Sequence, residues 1–161
     1  MTIRNAVLSA VAAAGLAGAG IAAAPAALAD NEPGIQHFGA QQGLVDADGG
    51  VSQEWTVSNL QPSSDVIGWP VQGQLWEANA NVEAVRGCPL PIISNFNARA
   101  GDGETYQVLA TANAPQGISP RTICAPDHSQ GKLYFDVIGA QPDGVVYRAD
   151  NRDLLIWTNT P

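Results

Sequence analysis

Positive charge is scarce in this chain: seven Lys and Arg stand against fifteen Asp and Glu, a formal net charge of −8 over 161 residues. Phosphate backbones are repelled by such a balance, which excludes nucleic acid and makes acidic membrane surfaces poor partners. Beyond the amino-terminal segment there is no long apolar run, so no later stretch spans a membrane as a helix. Histidine and cysteine are rare. His37, His128, Cys88 and Cys124 are the obvious zinc ligands, but metal-binding pairs usually sit about two to four residues apart and none of these does. No G-x-S-x-G elbow exists to present a nucleophile, and no cofactor fingerprint is found. Helical periodicity, internal repeats and low-complexity tracts are also missing after the amino-terminal segment.

That segment has the marks of an export signal. Arg4 precedes an Ala- and Gly-rich apolar run over 6–24, and Ala27-Leu28-Ala29 forms a small-x-small site before Asp30. Pro25 and the softness of the run argue against a membrane anchor. A single Arg does not make a twin-arginine signal, and no Cys follows the site to carry a lipid. Cleavage after Ala29 leaves 161 − 29 = 132 residues, one domain over 30–161 with a charge of 6 − 15 = −9. In an oxidising compartment the even cysteine count predicts a Cys88–Cys124 disulfide.

The most informative stretch is 70–86. Trp76, Ala78, Ala80, Val82 and Ala84 alternate with Glu77, Asn79, Asn81 and Glu83. Period two gives a strand with one dry and one wet face. The phase reverses upstream, where Val71, Gly73 and Leu75 are apolar, so a β-bulge is expected at Leu75 and Trp76. Residues 30–37 read as a loose arm. Two runs, 38–45 and 51–57, flank Asp46-Ala47-Asp48-Gly49-Gly50 as a hairpin. Ile92, Phe96 and Ala98 share a phase. Gly101-Asp102-Gly103 then turns the chain into Tyr106, Val108 and Ala110. Three prolines make 112–130 a long loop, the kind of segment that carries function. Leu133, Phe135 and Val137 alternate with Lys132, Tyr134 and Asp136; Pro142-Asp143-Gly144 reads as a turn, and 145–147 with 154–157 as the last pair. Short runs punctuated by turns, without helical period, predict an all-β sandwich of two antiparallel sheets.

Few constellations suggest chemistry. Asp46 and Asp48 have the spacing of part of a calcium loop but lack its remaining ligands, so a solvated turn is the simpler reading. Asp102 and Glu104 could serve a glycosidase only if one were desolvated, and flanking glycines argue for exposure. Asp127-His128-Ser129 supplies triad residue types, yet adjacency in sequence defeats the aim a triad needs, leaving His128 a solvent-facing loop residue. Trp69, before Pro70, is the candidate binding aromatic, although capping of the core is the favoured expectation for its ring, since tryptophan is highly buried on average. Trp55, Trp76 and Trp157 belong to the core.

Taken in order, Gly73-Gln74-Leu75-Trp76-Glu77-Ala78, Phe96-Asn97-Ala98-Arg99 with Asp102-Gly103, the run from Gly131-Lys132-Leu133 to Val137, and Asp153-Leu154-Leu155-Ile156-Trp157 resemble the small secreted immunogenic proteins of mycobacteria, the MPT sixty-three type. The similarity runs from about residue 39 to 157. It implies an immunoglobulin-like sandwich exported to the medium or envelope, with no established biochemical role and no site residue to carry over. The cysteine pair departs from that pattern, as does the order of tryptophans and cysteines from true antibody domains: Trp55, Trp69 and Trp76 precede Cys88, and Thr122 stands where a tyrosine corner is expected. The functional expectation is therefore a non-enzymatic, cofactor-free recognition protein whose partner is a host or envelope protein. The alternatives are a carrier of lipid or small apolar ligands, and an envelope glycan hydrolase.

Overall fold

A computed structural model describes residues 33–112 and 114–160. The expected signal segment and its cleavage site after Ala29 lie outside the described residues. Alternating sequences become strands β1 (Gly34–His37), β2 (Gln41–Val45), β3 (Val51–Pro62), β4 (Gln74–Ala84), β5 (Phe96–Ala100), β6 (Thr105–Gln107), β7 (His128–Val137), β8 (Pro142–Ala149) and β9 (Arg152–Thr158). They form an immunoglobulin-like sandwich: one sheet runs β1-β9-β8-β5-β6 and the other β2-β3-β4-β7. Pairing is antiparallel throughout except for β1, which lies parallel to β9.

Small residues and aromatics share the interior. Ala78, Ala80, Ala84 and Ala98 are buried, and their methyls let the sheets close on Trp55, Phe96, Tyr147 and Trp157. Phe96 meets Trp55 edge-on at 4.8 Å and Tyr147 at 5.0 Å. Such pairs contribute about 0.5–1.5 kcal/mol each beyond area burial. Trp157 Nε1 donates to the Ala40 carbonyl at 2.8 Å, and Gln42 Nε2 to the Ile156 carbonyl at 3.0 Å. These two bonds tie the first sheet's β9 to the segment that carries β2.

Several sequence expectations are corrected. Residues 34–37 are a strand, because β9 offers them an edge that local sequence does not announce. The bulge lies in β3: Ser58 pairs Asn79 and Gln61 pairs Glu77, so Asn59 and Leu60 oppose Ala78 alone, with Asn59 at φ 54°. At Leu75 and Trp76 the register with β7 is unbroken. Leu75 is instead buried on the outer face. Pro142-Asp143-Gly144 starts β8, where proline is tolerated at the first strand position, and the reversal falls at 138–141. Ile92 is exposed while Ile93 enters the core from a short 3-10 turn, Ile93–Asn95. Val108 leaves β6 to bridge Phe135 of the opposite sheet, so the strand expected over 106–110 ends early and crosses over.

Candidate functional site

Odd positions of β4 and even positions of β7 point away from the core, and cross-strand pairing sorts them into rungs. Thr56, Asn81 and Gln130 make one rung; Ser58, Asn79 and Lys132 make the next. Rungs are about 7 Å apart along the strand and neighbours within a rung about 5 Å apart. Beside β7 the long loop rises as a wall: Ile118 N donates to Lys132 O at 3.0 Å and Lys132 N to Gln116 O at 2.8 Å. Gly131 permits this approach, since a Cβ there would lie 2.5 Å from Ile118 N. The result is an open groove of about 470 Å³ floored by the two rungs and walled by Gln116.

A charged cluster closes one end. Lys132 Nζ donates to Asp65 Oδ2 at 2.7 Å and to Glu77 Oε2 at 2.9 Å. Tyr134 donates its hydroxyl to the same Asp65 oxygen at 2.6 Å, and Ser63 donates to Glu77 at 2.5 Å. Glu77 is only 7% exposed, although alternation places it on the wet face. The segment 63–73, folded over this end of the sheet, excludes the solvent. The Lys132 ammonium, helped by the Tyr134 hydroxyl, holds the Asp65 carboxyl below its ordinary range, and Asp65 in turn raises Lys132. Burial pushes Tyr134 upward, and the neighbouring Asp65 charge adds to it. Both carboxylates are committed to the cation, so the cluster orders the loop and leaves no free base.

The same loop is fastened farther along β7 by Gln72 N and Gly73 N, each donating to Asp136 at 2.8 Å. Between the two anchor points, Trp69 is 43% exposed and Val66 90% exposed. Trp69 is thus presented on a held loop instead of folding into the core, where Trp55, Trp76 and Trp157 lie buried.

Other sequence candidates are accounted for separately. Cys88 and Cys124 are bonded to each other, flanked by Ile123 N donating to Pro89 O and Ala125 N to Gly87 O. They are not available to His37 or His128 as a zinc site. Among the described residues no group of three or more His, Cys, Asp and Glu is placed to hold a metal ion. Asp46 and Asp48 both face Arg86, at 3.5 and 2.8 Å, which fills the position a cation would take. Asp102 accepts from Glu104 N and Glu104 from Ala140 N, both exposed in turns. Asp127 accepts from Arg121 and from its neighbour's backbone, while His128 is exposed and Ser129 buried, so no triad is assembled. Asp153 is taken by Arg99 in a bidentate pair. Asp65, Lys132 and Gln116 were not legible as a site, because their meeting depends on where two loops land. The only sequence signal was the length of 112–130.

No helix among the described residues is long and apolar enough to cross a membrane. Comparison with known proteins gives a consistent family. Residues 33–157 match a domain of unknown function, DUF1942. The chain is 43% identical over 158 residues to immunogenic protein MPT63 of Mycobacterium tuberculosis, covering 98% of this chain and 99% of the relative. The same figures hold for immunogenic protein MPB63 of Mycobacterium bovis. The crystal structure of MPT63, a secreted protein from M. tuberculosis, superposes with a TM-score of 0.76 at 44% identity, covering 80% of this chain and 99% of that one.

Proposed function

The chain belongs to the DUF1942 family, and from that premise we propose that it is an exported, non-catalytic recognition module. Export rests on the signal-like segment cleaved after Ala29 and on relatives described as secreted; the processed product is the single domain over 30–161. Its binding surface is the outer face of β3, β4 and β7, with Trp69 as a flanking aromatic anchor. One observation carries this reading. Thr56, Ser58, Asn79, Gln116 and Gln130 converge on the groove, and none has a side-chain hydrogen-bond partner among the described residues. Polar groups left unspent on a sheet face are available to hydrogen-bond a partner. The partner is a component of the envelope or of a host surface.

Catalysis is disfavoured by the state of the acids. Asp48, Asp65, Asp127 and Asp153 are held below their ordinary range by cations or donors, the reverse of what a general acid needs. An apolar carrier is disfavoured by the alanine-rich interface, which brings the sheets into contact.

The test is saturable binding of the protein, purified from culture medium and fluorescently labelled, to intact cells of its source and to phagocytes. The double variant Asn79→Ala/Gln130→Ala is expected to weaken binding at least about ten-fold, the effect of 1.4 kcal/mol. Trp69→Ala should weaken it too, while Arg148→Ala on the other sheet should not. Binding that is absent from both cell types, or indifferent to the double variant, refutes the reading.

A further inference from the structure

The lining of the groove narrows its ligand beyond recognition in general, and we propose that it binds a neutral oligosaccharide. This rests on the recognition reading above and adds the chemistry of the ligand. Four classes of occupant are weighed by the same residues. An anion needs an unspent cation, and the groove's single one among the described residues, Lys132, already donates to both Asp65 and Glu77. The chain's net charge of −8 opposes anions further. A metal ion needs carboxylates, and among the described residues none lines the groove. An acyl chain needs apolar side chains; among the described residues Ala80 and Gly131 are the only nonpolar ones at the groove, and both are small.

A neutral polyol needs paired donors and acceptors at close spacing, which is what remains. Asn79, Gln116 and Gln130 each carry a carbonyl and an amide group, and Thr56 and Ser58 each a hydroxyl that both gives and takes. Asn81 donates to Glu83 at 3.2 Å, which leaves its carbonyl free to accept. The two rungs, about 7 Å apart, spread these groups over more than one contact point. The volume of about 470 Å³ lies inside the usual range for ligand sites, roughly 300–1,000 Å³. No aromatic ring among the described residues lines the groove, so hydrogen bonds carry the affinity without stacking. Neutral hydrogen bonds exchanged against water are individually weak, which places the dissociation constant at about 0.1–10 mM.

The experiment is a proton–nitrogen NMR titration of the secreted protein with maltohexaose, mannohexaose, cellohexaose and chitotetraose. Sulfated maltohexaose serves as the anionic control. Concentrations reach about 20 mM, above the expected constants. At least one neutral oligosaccharide should shift the side-chain amide signals of Asn79, Asn81, Gln116 and Gln130. Asn79→Ala/Gln130→Ala should weaken that binding at least about ten-fold with the rest of the spectrum preserved. No shift with any of the sugars, shifts confined to other surfaces, or equal binding of the sulfated control overturns the proposal. Cell binding that depends on the groove, beside a silent titration, leaves recognition standing and removes the sugar. Cell binding indifferent to the groove removes the recognition reading on its own.

Discussion

Replacing Gly131 with alanine tests whether the groove wall is held by backbone proximity. A Cβ at this position would sit 2.5 Å from Ile118 N, 2.6 Å from Ile118 Cα and 2.8 Å from Gly117 C. Ordinary contact begins near 3.4 Å, so the loop must retreat by 3.4 − 2.5 = 0.9 Å. The neighbours are main-chain atoms and cannot rotate aside. Retreat stretches the two bonds that join loop and strand, Ile118 N to Lys132 O and Lys132 N to Gln116 O. At about 0.5–1.5 kcal/mol each, their loss costs about 1–3 kcal/mol, similar to the usual penalty of overpacking. For a domain of this size that lowers Tm by roughly 4–12 °C. Differential scanning calorimetry reads the melting point, and amide hydrogen exchange locates the effect. Protection should fall at Ile118 and Lys132 and persist at Ala78 and Phe135 in the core. A variant that melts within about 1 °C of the parent, with Ile118 still protected, would show that Gly131 is not the point of attachment.

Three further outcomes are expected. All three tyrosines are buried, and burial is the leading cause that raises each pKa, with Tyr106 pushed up to about 12. Folding therefore favours the protonated phenols, and the stability they contribute is complete below pH 10 and is lost as pH climbs toward the folded values. Absorbance at 295 nm should stay flat through pH 10, where free tyrosine is half ionised, and rise only above it, as the folded values or unfolding are reached; a smooth rise centred at pH 10 would contradict the burial. Reducing the Cys88–Cys124 bridge, which spans a sequence separation of 36, should lower unfolding free energy in urea by at most about 4 kcal/mol. An unchanged midpoint after verified reduction would show that neighbouring backbone bonds hold those loops unaided. Trp69→Ala should change stability by less than about 0.5 kcal/mol, since exposed side chains contribute little; a large drop in Tm would mean the ring is packed after all.

Alternation made the interior legible. Trp76 to Ala84 and Leu133 to Val137 keep their inward phase in the structure, and Trp55, Trp76 and Trp157 are core. Periodicity failed where a second layer covers the outer face. Glu77 and Tyr134 occupy wet-face positions yet are buried, because 63–73 folds over them, and nothing in a strand's own residues reports a distant loop. Asn79, Asn81 and Lys132 were identifiable as outward-facing polar residues. Their rung partners depended on register, and register depended on the one extra residue that sets Asn59 and Leu60 against Ala78. Local turn chemistry also misled at Pro142-Asp143-Gly144. There Gly144 serves close packing, a Cβ meeting Trp157 O at 3.1 Å, and not the turn.

The parallel pairing of β1 with β9, in which Gly34 meets Leu155 and His37 meets Thr158, sets an order on assembly. A ribosome delivers Gly34 more than a hundred residues before the strand it must join, so that edge waits until β9 has been made. Deleting residues 150–161 would thus leave β1 without its partner as well, and a reporter fused ahead of Gly34 would ride beside Leu155 in the folded domain.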